Sequence, residues 1–284
     1  MKKGWKRFWM VIIIILTIGV VFVLGAVAMG YRPWDDPIGK RVYDEIYEEI
    51  IEDEVLDEGY GSSFTSRQDK IESNADKLKI EVGGCKVELQ VKEVPAIEVD
   101  TDGLSEDMTD KLKIHEDSDT LTIQTNDRHF FDDVSEWNES DGVLVITIPK
   151  DMVFEEVEIA FGAGEINIEE LQAENIELKL GAGQAKLNKI QAAEFESKIG
   201  MGQFDMKQAD IKDLDIHCGA GQAVVKLLGN EKDYNYEVKC GMGEAGVGSY
   251  KTSGFAGECD IDNNADRSIE VECGMGQVMV SFAE

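Results

Sequence analysis

Apolar residues follow three different spacings along this chain, and each predicts a different element. From Phe8 to Met29 no charged residue interrupts 22 positions. Wound as a helix they reach about 33 Å, enough to cross a hydrocarbon core of about 30 Å. Between Ile38 and Leu56, Val42, Ile46, Ile50 and Val55 recur at helical spacing, widened by Ile51 and Leu56. This predicts a short, acidic amphipathic helix. Beyond Leu78 the period drops to two: Leu78, Ile80 and Val82, then Cys85, Val87, Leu89 and Val91. The pairs Ile97/Val99, Leu112/Ile114 and Leu121/Ile123 and the run Val143 to Ile148 follow, divided by polar turns. Alternation of this kind predicts strands with irregular connections.

From Glu155 the chain repeats itself. Gly-x-Gly followed by Glu or Gln occurs at Gly162 and Gly164, Gly181 and Gly183, Gly200 and Gly202, Gly219 and Gly221, Gly241 and Gly243, and Gly274 and Gly276. The first glycines are 19, 19, 19, 22 and 33 residues apart. One such tripeptide is a weak signal, but six in order decide the fold. Inward positions are even before the motif (Ile176, Leu178, Leu180) and odd after it (Ala185, Leu187). Parity therefore flips at a corner, as a bend costing one residue would make it, with glycine supplying backbone freedom. Nineteen residues at ~3.3 Å give at most ~63 Å, which suits one flattened coil and is too short for a βαβ unit. The expected fold is all-β, a parallel β-solenoid of about 19-residue coils.

Stacked coils ~4.8 Å apart turn equivalent positions into ladders. In sequence order the inward ladder is Phe161, Leu180, Ile199, Cys218, Cys240 and Cys273. The mid-motif ladder is Ala163, Ala182, Met201, Ala220, Met242 and Met275, and the ladder after the motif is Glu165, Gln184, Gln203, Gln222, Glu244 and Gln277. The glutamine row is expected to bond amide to amide from coil to coil. The longer intervals read as insertions, one near Leu228 to Lys232 and one between Gly248 and Arg267, the latter a protruding loop or a short extra turn.

The residues Lys79-Ile-Glu-Val-Gly-Gly-Cys-Lys-Val-Glu88, the segment Val145-Ile-Thr-Ile-Pro-Lys150 and the strand–Gly-x-Gly–strand units resemble the toast-rack family of bacterial extracytoplasmic domains. Members of that family carry an adhesin label. The resemblance runs from about Lys77 to Phe282 and implies a β-solenoid domain over 77–284. It also implies frequent anchoring by a transmembrane helix and an occasional association with cell-envelope stress systems, and it brings no catalytic residues.

Charge refines this picture. With 58 acidic and 28 basic residues the chain carries a formal charge of -30, which argues against nucleic acid and against docking of the body on anionic lipid. Lys2, Lys3, Lys6 and Arg7 precede the apolar stretch and Asp35 and Asp36 follow it, while Trp5, Trp9, Tyr31 and Trp34 mark its ends. The positive-inside rule then gives a cytoplasmic tail at 1–7, a single transmembrane helix at 8–30, and a linker at 31–76 carrying the amphipathic helix. The solenoid lies outside the cell membrane. Ala26-Val27-Ala28 keeps a cleaved signal peptide as the competing reading, under which the body is exported all the same.

Candidate chemistry is sparse. Five cysteines form no Cys-x-x-Cys, and the odd count argues against a disulfide framework. Cys218, Cys240 and Cys273 read as small buried hydrophobes, although adjacent coils would set Cys218 beside Cys240 at a separation that a disulfide allows. His115, His129 and His217 show no ligand spacing, and His217 is expected to face solvent. The Gly-x-Gly units lack the following helix and the lysine of a phosphate loop, so no nucleotide and no other cofactor is expected. Asp260, Asp262, Asn264 and Asp266 alternate as in calcium loops. Ala265 and Val271 stand where such a loop needs glycine and glutamate, so an acidic turn is the first reading and calcium the second.

The function expected is an extracytoplasmic binding or adhesin-like module without catalysis, its partner an unidentified protein or glycan. The alternative is a regulatory membrane protein in envelope stress acting through a membrane partner, with an envelope-polysaccharide enzyme third.

Overall fold

The computed structural model describes residues 71–125, 142–253 and 257–283. The chain divides into Met1–Gly59 and Tyr60–Glu284, and all the described residues belong to the second unit. The expected tail, transmembrane helix and acidic amphipathic helix lie outside the described residues. Among those described, no helix is long and apolar enough to cross a membrane.

The first part of the domain contains β1 (Ile71–Ser73), β2 (Lys77–Val82), β3 (Cys85–Lys92), β4 (Ile97–Asp100), a short helix α1 (Glu106–Lys111), β5 (Leu112–Asp117), β6 (Thr120–Thr125), β7 (Val143–Pro149) and β8 (Phe154–Phe161). Three long strands follow: β9 (Gly164–Leu180), β10 (Gln184–Ile199) and β11 (Gln203–Cys218). The remainder holds β12 (Gln222–Leu228), β13 (Tyr234–Cys240), β14 (Glu244–Val247), β15 (Tyr250–Ser253), β16 (Gly257–Ile261), β17 (Arg267–Cys273) and β18 (Gln277–Ala283). The helix was not expected. Ser105 caps it by accepting the Met108 N–H, and Met108 is buried in the core.

The long strands show how the sequence makes a coil. Strands β9, β10 and β11 lie parallel with a register offset of one repeat, Glu165 beside Gln184 beside Gln203 and Leu180 beside Ile199 beside Cys218. Within β10 the inward residues are Ala185 and Leu187, then Ile190 and Ala192, then Phe195, Ser197 and Ile199. Alternation is broken twice inside the strand, and each break turns the chain. Each full coil therefore has three sides and closes at the Gly-x-Gly corner. Inward rows of Ile, Leu, Val and Phe merge into one core running through the described stack.

The stack does not follow sequence order at its far end. Strand β17 pairs with β11 on one side and β13 on the other, and β18 pairs with β12 and β14. The coil latest in sequence is thus inserted between two earlier ones, and the inward ladder reads Ile199, Cys218, Cys273, Cys240. The expectation that Cys218 and Cys240 are neighbours is corrected: Cys273 stands between them. The segment between Gly248 and Arg267 is not a protruding loop or an extra turn. Strands β15 and β16 run antiparallel to β14 and β13 and cap the edge coil.

The opposite end mirrors this arrangement. Strands β2 and β3 lie between β6–β7 and β8–β9, while β4 and β5 run antiparallel to β7 and β6. Both outermost parallel coils are covered, which removes the unpaired parallel edges that promote aggregation.

Candidate binding surface

The corners line one edge of the described coil stack. Main-chain hydrogen bonds hold each corner to the coil before it in the stack: Met201 N–H to Gly181 at 2.9 Å, Met275 N–H to Gly219 at 2.7 Å, Met242 N–H to Gly274 at 2.8 Å. With the backbone tied down, the mid-motif side chain is forced outward. In stack order the row is Ala182, Met201, Ala220, Met275, Met242, and the three methionines are 74%, 64% and 57% exposed. Beside it runs the glutamine row, where Gln184 donates to Gln203 at 3.1 Å, Gln222 to Gln277 at 2.8 Å and Gln277 to Glu244 at 2.8 Å. Of the amide ladder read from the sequence, the Gln184–Gln203 link forms, and a second run joins Gln222 to Glu244 through the inserted Gln277. In the next outward row Val224 and Met279 are neighbours, and Val224 is exposed. An apolar ribbon thus flanks a line of amides.

The corner glycines owe their identity to close approach more than to backbone freedom. Of the twelve, only Gly164 has a positive φ, at +116°. The second glycine of each motif lies against the coil beneath it. A Cβ at Gly202 would stand 2.6 Å from the Gly183 carbonyl oxygen and 2.9 Å from Leu180 Cγ, and those at Gly221, Gly276 and Gly243 would come closer still to the equivalent carbonyl. The first glycine is less constrained at Gly200 and Gly219, with 3.1 and 3.2 Å, than at Gly241 and Gly274, with 2.9 and 2.8 Å.

The face leading into the corner is charged. Its outward rows interleave cations and carboxylates: Lys198 meets Glu196 at 3.1 Å and Glu177 at 3.8 Å, and Lys239 meets Glu237 at 2.8 Å and Glu272 at 3.4 Å. His217 sits half-buried between Asp215 and Glu272, each 3.2 Å from one ring nitrogen. The hydrogen bond with Asp215, aided by both negative charges and opposed by burial, lifts its pKa to about 9. His217 stands on the outward row, as the sequence reading placed it, but its ring is held in a carboxylate clamp rather than free in solvent. Asp215, two residues earlier on the same face of β11, was visible in the sequence, whereas Glu272 comes from a coil 55 residues away and was not.

Two groups of ligand-type side chains converge to within 4.8 Å among the described residues: Glu196, Asp215 and His217, and the exposed trio Asp76, Asp119 and Glu155. Lys77 stands 3.9 Å from Asp119 and 3.8 Å from Glu155. The calcium candidates Asp260, Asp262, Asn264 and Asp266 are all exposed and belong to neither group. Asp262 accepts the Asn264 N–H at 2.8 Å, a turn closed by its own side chain. His115 lies on β5 at the far edge, and His129 is outside the described residues.

The Toastrack DUF4097 family model matches residues 75–284. The chain belongs to the Toastrack family. Three solved structures are similar to this Toastrack chain: the "putative cell adhesion protein" of Clostridium sporogenes, and the "putative adhesin" proteins of Bacteroides fragilis and Parabacteroides distasonis. Their identities are 15%, 12% and 13%, their TM-scores 0.39, 0.31 and 0.32. The alignments cover 75%, 76% and 80% of this chain and 98% of each of theirs. No curated protein matches.

Proposed function

We propose that this Toastrack chain is a membrane-anchored, extracytoplasmic binding module of the bacterial envelope, adhesin-like and non-catalytic, whose contact surface is the corner edge. The observation that carries the reading is the row Met201, Met275 and Met242, held outward on a hydrogen-bonded backbone. Large exposed thioether side chains on a rigid edge suit recognition, since methionine adapts to varied apolar partners. The adjoining amides offer donors and acceptors of the kind that peptide or sugar hydroxyl groups pair with. The formal charge of -30 selects against anionic partners.

The test uses the full chain in native membranes, with a photo-crosslinking residue placed at 201, 242 or 275 and, as controls, at exposed Lys207 and Lys226. Adducts to one reproducible protein or glycan at the three corner positions, and not at the controls, are expected. Equal labelling at all five sites, or none at the corners, removes the reading. A captured integral-membrane protein would favour envelope-stress regulation over adhesion. Location is checked separately, by labelling a Lys251→Cys variant on intact cells with a membrane-impermeant maleimide. A thiol that reacts only after lysis puts the domain inside.

A further inference from the structure

Three of the five cysteines form a line under the corner edge. Cys218 and Cys273 are direct Cα partners on β11 and β17, and Cys273 and Cys240 are direct partners on β17 and β13. All three are buried, at 3%, 4% and 4% exposure, and all are free thiols. Neighbouring parallel strands lie ~4.8 Å apart, inside the Cα range of about 4.4–6.8 Å over which a disulfide closes. Cys218 and Cys240 are separated by a whole strand, roughly twice the ladder spacing, and fall outside that range. The Cys273 thiol hydrogen-bonds with the thiols of both its neighbours. Cys85 and Cys259 stand elsewhere, on β3 and β16.

We infer that Cys218, Cys273 and Cys240 are a single oxidation site that takes one disulfide at a time, always through Cys273, and so locks the inserted coil to one neighbour or the other. A disulfide of the glutathione class, or a protein disulfide, is the oxidant. One protein thiolate attacks it, forming a mixed disulfide and releasing one thiolate. A second protein thiolate then attacks the mixed disulfide and releases the other. Two protein thiols lose two protons and two electrons, and one acceptor disulfide becomes two thiols. The hydrogen bond between the Cys218 and Cys273 thiols couples them, favouring a thiolate on one member of the pair while the other keeps its proton. Reaction needs the corner to open, because Cys218 Sγ would lie 2.9 Å from a Cβ at Gly276 and Cys273 Sγ 3.0 Å from one at Gly243.

The site is independent of what the methionine row binds. Full-length protein is warmed with oxidised glutathione, quenched with N-ethylmaleimide and digested with trypsin without reduction. Lys226, Lys232, Lys239, Lys251 and Arg267 separate the three cysteines into different peptides. The expected products are Cys218–Cys273 and Cys240–Cys273 bridged peptides, with no Cys218–Cys240 bridge. Cys273→Ser should leave both other thiols unbridged, whereas Cys218→Ser and Cys240→Ser should each keep the remaining bridge. The oxidised chain should melt about 5–10 °C above the reduced one. A Cys218–Cys240 bridge in the wild type overturns the inference, as does a wild-type digest with only free or glutathionylated cysteines. Both outcomes are read without any variant.

Discussion

At the scale of single residues, the two glycines of a corner should not be equivalent. Gly202 and Gly221 face a carbonyl oxygen and an inward side chain of the coil beneath, whereas Gly200 and Gly219 keep about 3.1–3.2 Å of clearance. Gly202→Ala should cost about 1–3 kcal/mol by overpacking, and Gly200→Ala less than half of that. Urea unfolding of the two variants side by side checks the ranking, and equal midpoints would refute it. His217 gives a pH signature. Its folded pKa of about 9 lies above the ordinary 6.5, so its contribution is complete below about pH 6.5 and is lost as pH rises through 9. The stability gap between wild type and His217→Gln should therefore shrink from pH 6.5 to 10, and a constant gap would show that the imidazolium is not clamped. The sequence shows each glycine's place in the repeat. It does not show what the glycine touches, because the touching atoms belong to the next coil.

At the scale of elements, the coil period and its corner were legible from Gly162 to Gly221, where repeats of 19 residues stack one on the next. The order of the last two coils was not. The corner rows treat them nearly alike: cysteine with cysteine, methionine with methionine, Gln277 with Glu244. Those rows permit either order, and the outward charges supply the difference. In sequence order His217 and Lys239 would be neighbouring cations, but with β17 inserted, Glu272 lies between them and meets both. Arg267 adds a second tie, donating to Asp210 at 2.7 Å and to the Tyr234 hydroxyl at 2.8 Å, across the strands on either side of its own. Arg267→Ala should lower stability by about 1–3 kcal/mol, and amide exchange should quicken in β17 before β10. Uniform loss of protection across both would count against a local tie. The edge cap hangs on Glu231, which accepts hydrogen bonds from Tyr236 and from the Ser249 amide and hydroxyl. Burial opposes its ionisation, but those bonds outweigh it and hold its pKa low, while burial and Glu231 push Tyr236 up to about 12. Glu231→Gln should loosen β15 and β16, seen as faster proteolysis near Ser253 with the core still protected.

At the scale of the whole domain, both ends of the described stack are closed by antiparallel strands and both inserted coils lie one place in from an end. The strands of the N-terminal cap were legible as the pairs Ile97/Val99 and Leu112/Ile114, but not their antiparallel pairing, because β4 and β5 are short and bury only two residues and one. The same brevity hid β15 and β16, whose alternation buries no residue deeply. The inserted coil has a consequence in time. A chain that emerges from its N-terminal side first delivers β13 and β14 before β17 and β18, and they meet β11 and β12 while the place between is still vacant. Because the corner rows match, β13 is expected to settle directly on β11 before β17 is available, giving a decoy stack that the later coil must open. A chain stopped at Gly248 should give that decoy, recognisable because it alone brings Cys218 and Cys240 within bridging distance. A soluble truncated chain that never forms this bridge under oxidant would show that the vacancy stays open. In either case, cutting this sequence near its far end alters the interior of the stack, where most solenoids would only be shortened.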